Sequence, residues 1–403
     1  MDFIHQIKTE KFQDNQIVFR FGETISARSA VTRLILALML VDRSRNYPTK
    51  QLLNYQIDML YGTSLQANAF NIGYLHVVEL SFKFLKDSLV KVANYQKALN
   101  FMADLLYEPA FTTASFQEVK DQVSEMLLRQ TDNPNQFNLV ESLKTAGENY
   151  PLGINNLGSQ ELITSITLDD VEIAYQKLIS ENRFDILLLG EIPDLIRHEA
   201  EKLFTFPKFA LPQSYYNFNS NEAKLITLNR DVKQTYLTLI YNTDISRDSE
   251  RYFDLLVANA IFGQFSTSLL FQEVREKRSL CYAIRSIVLA NDGVILVNAG
   301  IKQDAAELVI DLIADILKQI TEQRYPEPLL EVSKKMLINQ LLAGEDRSLA
   351  LINRHYLSLL TNRFETLDIM IEKIKQVSFQ DVSFVTENLI LNTTVVLKEQ
   401  IND

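Results

Sequence analysis

Residues 269–290, LLFQEVREKRSLCYAIRSIVLA, change pattern in mid-course. In the first half Leu269, Leu270, Phe271 and Val274 fall at helical spacing, with Gln272, Glu273, Arg275, Glu276 and Lys277 between them. Past Ser279, the residues Cys281, Ile284, Ile287, Val288 and Leu289 supply the β-branched and apolar content of a strand buried on at least one side. The pattern predicts a helix that feeds a strand, with Arg275 on the last helical turn and Tyr282 on the strand. Read alone, the pair favours a structural account, with Arg275 one member of a solvated R-E-K-R face and Tyr282 a half-buried strand aromatic.

Outward from this junction the same kinds of element occur twice. Patterns at 11–21 (strand), 30–41 (helix, apolar nearly all round), 50–60 (amphipathic helix), 64–70 and 74–85 (strands) are followed by two long helices, 90–106 and 115–129, parted at Pro109. The amphipathic helix ends at Tyr61 and Gly62, where glycine suits a left-handed cap. A Gly-rich loop, a helix start at 167–170, a strand at 184–190 and a helix at 194–204 complete the first set. Residues 206–221 hold two prolines and no periodic pattern, which reads as a linker. Beyond it come strands at 224–229 and 234–242, a helix at 252–261, the 269–290 junction, and two long helices, 305–322 and 328–342, parted at Pro326. With a shift near 215 residues Leu65 falls on Leu280, and at a slightly smaller shift F-Q-E-V at 116–119 falls on L-L-E-V at 329–332. Agreement in the order of elements argues for duplication. The expected fold is α+β: two homologous lobes, 1–205 and 222–403, joined by 206–221, each a mainly antiparallel sheet with helices packed on one face.

Composition narrows the function. A chain of 403 residues is too long for one ordinary core, and 47% hydrophobic with 23% charged residues can fill two. The formal charge of −11 argues against a nucleic-acid partner, which requires a basic surface. The single cysteine, Cys281, fits a reducing compartment and, set in an apolar strand, reads as an inert buried thiol. The N-terminal sequence lacks a secretory pattern, and the longest apolar run, 34–41, is far below the roughly 20 residues of a membrane span. A cytoplasmic location without membrane association is the expectation.

Metal and nucleophile chemistry find little support. His5, His76, His198 and His355 form no i, i+3 or i, i+4 pair. His76 and Glu79 diverge on a strand, and His198 with Glu199 and Glu201 reads as a solvated helix face. No G-x-x-x-x-G-K, G-x-G-x-x-G or G-x-S-x-G occurs.

The segment FQEVREKRSLCYAIRS (271–286) resembles the C-terminal-half signature of the insulinase-like (pitrilysin, inverted zincin) metallopeptidase family. The resemblance extends through TEKF at 9–12, YPLGINNLGSQELITSITLDDVEIAY at 150–175 and Gln234. It implies two lobes closing like a clam around an extended peptide, with Arg275 and Tyr282 helping to hold the substrate. Such enzymes carry H-x-x-E-H on the first buried helix, two His for zinc and a Glu that activates water. Here that helix reads LILALMLVDRS, placing Leu34 and Leu38 at the His positions and Ala37 at the Glu position. Of the metal ligands only the distant Glu has a match, Glu125, with Glu118 seven residues before it. One carboxylate does not hold zinc, so both glutamates read as surface salt-bridging or structural.

The pattern is similar to the non-catalytic subunit of heterodimeric members, and more narrowly to bacterial YfmF-type proteins, named for an association with elongation factor P 5-aminopentanol modification. It implies no cofactor in this chain, zinc in an H-x-x-E-H-bearing partner subunit, and no activity alone. The substrate would be an extended peptide added as a strand to a sheet edge, with Arg275 and Tyr282 donating hydrogen bonds to its carbonyl. A purely structural or peptide-binding scaffold, as in members of respiratory complexes, is the alternative.

Overall fold

The computed structural model describes residues 3–205, 216, 218 and 223–400. Strands β1 (Ile4–Lys8), β2 (Asp14–Thr24), β3 (Gly62–Ile72), β4 (Leu75–Leu85) and β5 (Arg183–Gly190) form one five-stranded sheet in the order β1-β5-β2-β4-β3. Strands β6 (Lys224–Arg230), β7 (Thr235–Asn242), β8 (Cys281–Leu289), β9 (Val294–Ile301) and β10 (Ile390–Glu399) form a second in the order β6-β10-β7-β9-β8. Each strand of one sheet has its counterpart five labels on in the other. In both, one outer pair is parallel, β1 with β5 and β6 with β10, and every other pair is antiparallel. The duplication is thus a property of topology, and the α+β class with two sheets follows.

Packing divides the chain into two compact units, which do not follow the sequence halves strictly. The first comprises the described residues of Met1–Leu128 and Asn155–Ser214 together with Asp346–Tyr356; the second comprises those of Arg129–Ile154, Tyr215–Glu345 and Leu357–Asp403. The linker segment 206–221 lies outside the described residues except for Tyr216 and Phe218.

In the first unit, alternation along β2 sends Ile17, Phe19 and Phe21 into the core, where Phe184 of β5 stacks on Phe21 at 4.6 Å and meets Phe19 edge-on at 5.4 Å. Helix α1 (Ala27–Leu40) covers this face, its start closed by reciprocal hydrogen bonds between Ser26 and Ser29. The alternate residues of the sheet are polar and equally buried. Arg20 donates to Glu79 on the neighbouring strand at 2.5 and 2.8 Å and to Asn353, and its guanidinium lies 4.5 Å from the Tyr356 ring. Asn353 and Tyr356 belong to the helix Ser348–Thr361, so the second face of this sheet is closed by chain from the other half of the sequence.

The second unit repeats the arrangement with neutral groups. Its core face carries Leu237, Leu239, Val297 and Ala299. On the opposite face Thr238 accepts hydrogen bonds from Asn298 of β9 at 3.1 Å and from Asn138 at 2.9 Å, the latter on the helix Pro134–Ala146. That helix and β1 match no pattern read from the sequence.

Two details differ from the sequence reading. Helix α2 (Lys50–Met59) stops on Tyr61, which takes the left-handed conformation at φ 50°. Gly62 is required for space: a Cβ there would stand 2.6 Å from Ile57 Cγ2 and 2.7 Å from Phe82 Cε2. Leu65 and Leu280 are not equivalent, because Leu65 pairs with Phe82 inside β3 whereas Leu280 precedes β8.

The β8–β9 turn holds a partly buried carboxyl, Asp292, which accepts a hydrogen bond from Tyr216 at 2.7 Å. Burial raises its pKa to about 6, the Tyr216 hydroxyl opposing the rise. A carboxyl raised in the folded state stabilises the protein fully below its unfolded pKa, and that contribution is lost as pH climbs through about 6. Asp292→Asn is therefore expected to stabilise the protein at pH 7.5 by about 1–3 kcal/mol, allowing for partial solvent exposure. The difference should vanish near pH 4 in thermal melts; an equal difference at both pH values would refute it.

Candidate functional site

The 269–290 junction lies wholly in the second unit. Phe271–Glu276 wind as a π-helix entered from Leu269 and Leu270, and Lys277 donates its backbone N–H to Gln272 at 3.0 Å. Widened turns of this kind recur at functional sites. The helix ends through two nested bonds, Ser279 N–H to the Arg275 carbonyl at 2.9 Å and Leu280 N–H to the Val274 carbonyl at 3.0 Å. Ser279 carries the reversal at φ 52°, a left-handed stop like that of Tyr61 ahead of β3. Arg275 occupies the last turn, as its spacing predicts.

The R-E-K-R segment is not one uniform solvated face. Glu273 binds both Lys277 at 2.6 Å and Arg278 at 2.7 Å, and these bonds hold its carboxyl below the usual range. Arg275 instead stacks over the Phe271 ring at 4.6 Å, with the Glu276 carboxylate 3.7 Å from its Nε. The sequence alone could not separate these three cations, because the partition depends on which side chains Glu273 reaches. Burial lifts the neighbouring Cys281 thiol to about 11, with the charge of Arg275 opposing, so this cysteine is an inert thiol beside the guanidinium.

Tyr282 is the extra residue of a β-bulge. Cys281 faces Ile301 and Ala283 faces Gly300, leaving Tyr282 between them without a cross-strand partner. Cys281 and Ile284 both enter the core, so the two residues between them point the other way. Tyr282 is 69% exposed and makes no hydrogen bond among the described residues. Beside it, Gly300 presents no side chain: a Cβ at that position would stand 2.7 Å from Gln234 Nε2. The amide of Gln234 therefore lies over the strand next to the bulge. Because β8 is the last strand of its sheet, its outer backbone edge is not paired within the sheet.

The first unit holds the positions at which the family resemblance expects zinc ligands. Leu34 and Ala37 of α1 are buried at 3% and 0% exposure, and Leu38 packs partly buried against the same core. Glu118 is exposed and paired with Arg43 at 2.8 Å and Lys50 at 3.0 Å, and Lys50, then Arg43, lower its pKa. Glu125 is exposed on the helix Thr113–Asp132. Among the described residues no three His, Cys, Asp or Glu side chains cluster so as to hold a metal ion. Aliphatic side chains offer no lone pairs, so these residues do not fit zinc.

The histidines are engaged elsewhere. His76 Nδ1 accepts from Arg33 Nε at 3.0 Å, and burial, then the charge of Arg33, lower its pKa to about 3. Glu79 lies on the opposite face with Arg20, as strand alternation requires. His5 and His355 come within 5.7 Å in the folded first unit, which spacing could not reveal. His5 Nε2 is nevertheless 2.9 Å from Asp185, a carboxylate that also binds Arg183 at 2.7 Å. His198 is exposed, and its neighbours pair locally, Glu199 with Lys202 and Glu201 with Arg197. No helix of the described residues is long and apolar enough to cross a membrane.

Comparison with known proteins finds both an inactive metalloprotease and zinc proteases among the relatives. The chain is 25% identical over 407 residues to the probable inactive metalloprotease YmfF of Bacillus subtilis, covering 98% of this chain and 95% of that one. It is 24% identical over 302 residues to the uncharacterized zinc protease YmxG of the same organism, covering 74% and 73%. A conserved protein from Enterococcus faecalis superposes with a TM-score of 0.94 at 25% identity, over 99% of this chain and 97% of that one. Residues 165–337, which include the Arg275 to Tyr282 junction, match the peptidase M16 inactive domain. The chain thus resembles the M16, insulinase-like, metallopeptidases over residues 165–337 and a probable inactive metalloprotease over nearly its whole length, and it carries Leu34, Ala37 and Leu38 at the H-x-x-E-H positions.

Proposed function

We propose that this chain is the non-catalytic, peptide-binding subunit of a two-chain metallopeptidase, its partner being a homologue that carries H-x-x-E-H and the metal. The observation that carries this reading is the pairing of aliphatic residues at the metal positions with a tyrosine left exposed on an outer strand. Leu34, Ala37 and Leu38 pack in or against the core, while a bulge leaves Tyr282 exposed and off the core face of the sheet, seven residues past Arg275. A residue kept only for packing would be buried, and Tyr282 is not. Phenol and guanidinium both donate hydrogen bonds to a peptide carbonyl oxygen and to the negative charge that builds on it during cleavage. The unpaired edge of β8 can supply main-chain bonds to an extended peptide. That one organism has both an inactive and a zinc-protease relative of this chain is consistent with such a pair. The buried, protonated Cys281 suits the reducing cytoplasm.

The test is to combine the chain with its H-x-x-E-H homologue and assay cleavage of an unstructured peptide. Arg275→Ala or Tyr282→Phe is expected to lower turnover by about 100- to 1000-fold, the usual effect of losing one oxyanion donor. Undiminished turnover would leave the two residues with a structural role. If no combination cleaves peptide yet the chain binds peptide alone, the scaffold reading replaces this one.

A further inference from the structure

We infer that Arg285 makes the β8 edge selective for peptides bearing an acidic side chain, an inference that rests on the proposed peptide grip. The bulge at Tyr282 fixes which face each later residue of β8 presents. With Cys281 and Ile284 in the core, Tyr282 and Ala283 share the outward face, and alternation places Arg285 on that face as well. Arg285 is exposed and, unlike its cationic neighbours Lys277 and Arg278, has neither a hydrogen bond nor an ion pair among the described residues. Its cross-strand partner is Asn298, whose amide nitrogen is already committed to Thr238. In a chain of net charge −11, an unneutralised guanidinium on a free sheet edge, two residues from Ala283, is a local reversal of sign.

A peptide strand added to β8 would set one of its side chains opposite Arg285 at about 5 Å between Cβ atoms, within reach of a carboxylate. Like charge there is unfavourable, so a Lys or Arg at that position is disfavoured. A second copy of this chain pairing through its own β8 would bring its own Arg285 to the same edge, which argues for a foreign acidic peptide over self-association.

The experiment uses the full chain and fluorescein-labelled, Thr- and Val-rich extended peptides, identical except for Glu, Gln or Lys at one scanned position. Fluorescence anisotropy should give tighter binding of the Glu peptide than of the Gln peptide by about two- to fivefold, the range of an exposed ion pair. The Lys peptide should be the weakest, and raised salt should narrow the spread. Arg285→Glu should invert the order while Tyr282→Ala weakens all three peptides alike. Equal wild-type affinity for the three peptides, with the loss on Tyr282→Ala retained, would overturn the acidic preference and leave the grip standing. No binding by any peptide, or binding indifferent to Tyr282→Ala, would overturn the grip and this inference with it. Sedimentation showing dimers that dissociate on Arg285→Glu would also overturn it, in favour of self-pairing.

Discussion

Arg33→Ala is expected to destabilise the protein by about 3–5 kcal/mol, the cost of removing one partner from a buried ionic network. Arg33 sits on α1 at 1% exposure, beside the position that would hold the first zinc ligand. It donates to the Phe21 carbonyl at 2.8 Å, to His76 Nδ1 at 3.0 Å, to the His76 carbonyl at 3.2 Å and to Asn182, and it pairs with Glu23 at 3.1 Å. Burial lowers its pKa to about 10, against the opposing charge of Glu23, so it remains a cation at neutral pH. Truncation would leave a cavity and strip donors from two carbonyls, an imidazole nitrogen and an amide oxygen. Arg33→Met would refill most of the volume without restoring a donor, so it should recover only part of the loss. Urea unfolding with hydrogen exchange on α1 measures both, and an Arg33→Ala variant as stable as wild type would show that water replaces the side chain.

Rebuilding the metal motif should fail. The triple substitution Leu34→His, Ala37→Glu, Leu38→His restores the family's residue types, but Ala37 has no exposure and Leu34 almost none. Glu at position 37 both overfills a packed site, at about 1–3 kcal/mol, and buries a carboxyl without a designed partner, at a further ~1–3 kcal/mol or more. The combined loss is expected to exceed about 4 kcal/mol and to unfold the first unit before any zinc is held. Circular dichroism and metal analysis of the purified variant check this. A folded triple variant with stoichiometric zinc would mean that the site is dormant and that its core has not closed over it.

Much of the architecture was legible because burial imposes periodicity. The alternation of Ile17, Phe19 and Phe21 and the helix-to-strand switch at Ser279 are read from residue type alone, since a one-residue slip would expose an entire face. Elements with mixed polarity escaped. β1, an outer strand paired only with β5, reads IHQIK, and Pro134–Ala146 carries Asn138 and Ser142 toward its buried side because it packs on the polar face of a sheet. Arg33, inside a helix read as apolar all round, escaped because only the folded chain brings its partners together. Its partners come from β2, β4 and the chain before β5, far apart in sequence.

The sequence by itself determined the duplication, the missing metal ligands at 34, 37 and 38, and the seven-residue spacing of Arg275 and Tyr282. Spacing cannot say which way a strand residue points once a bulge intervenes, nor which of several cations a carboxylate will choose. The tertiary structure decided both. Pairing of Cys281 with Ile301 and of Ala283 with Gly300 turns Tyr282 outward, and Glu273 takes Lys277 and Arg278 while Arg275 stacks on Phe271. Those outcomes depend on the register of β9 and on side-chain reach across a helix turn, which exist only in the folded chain.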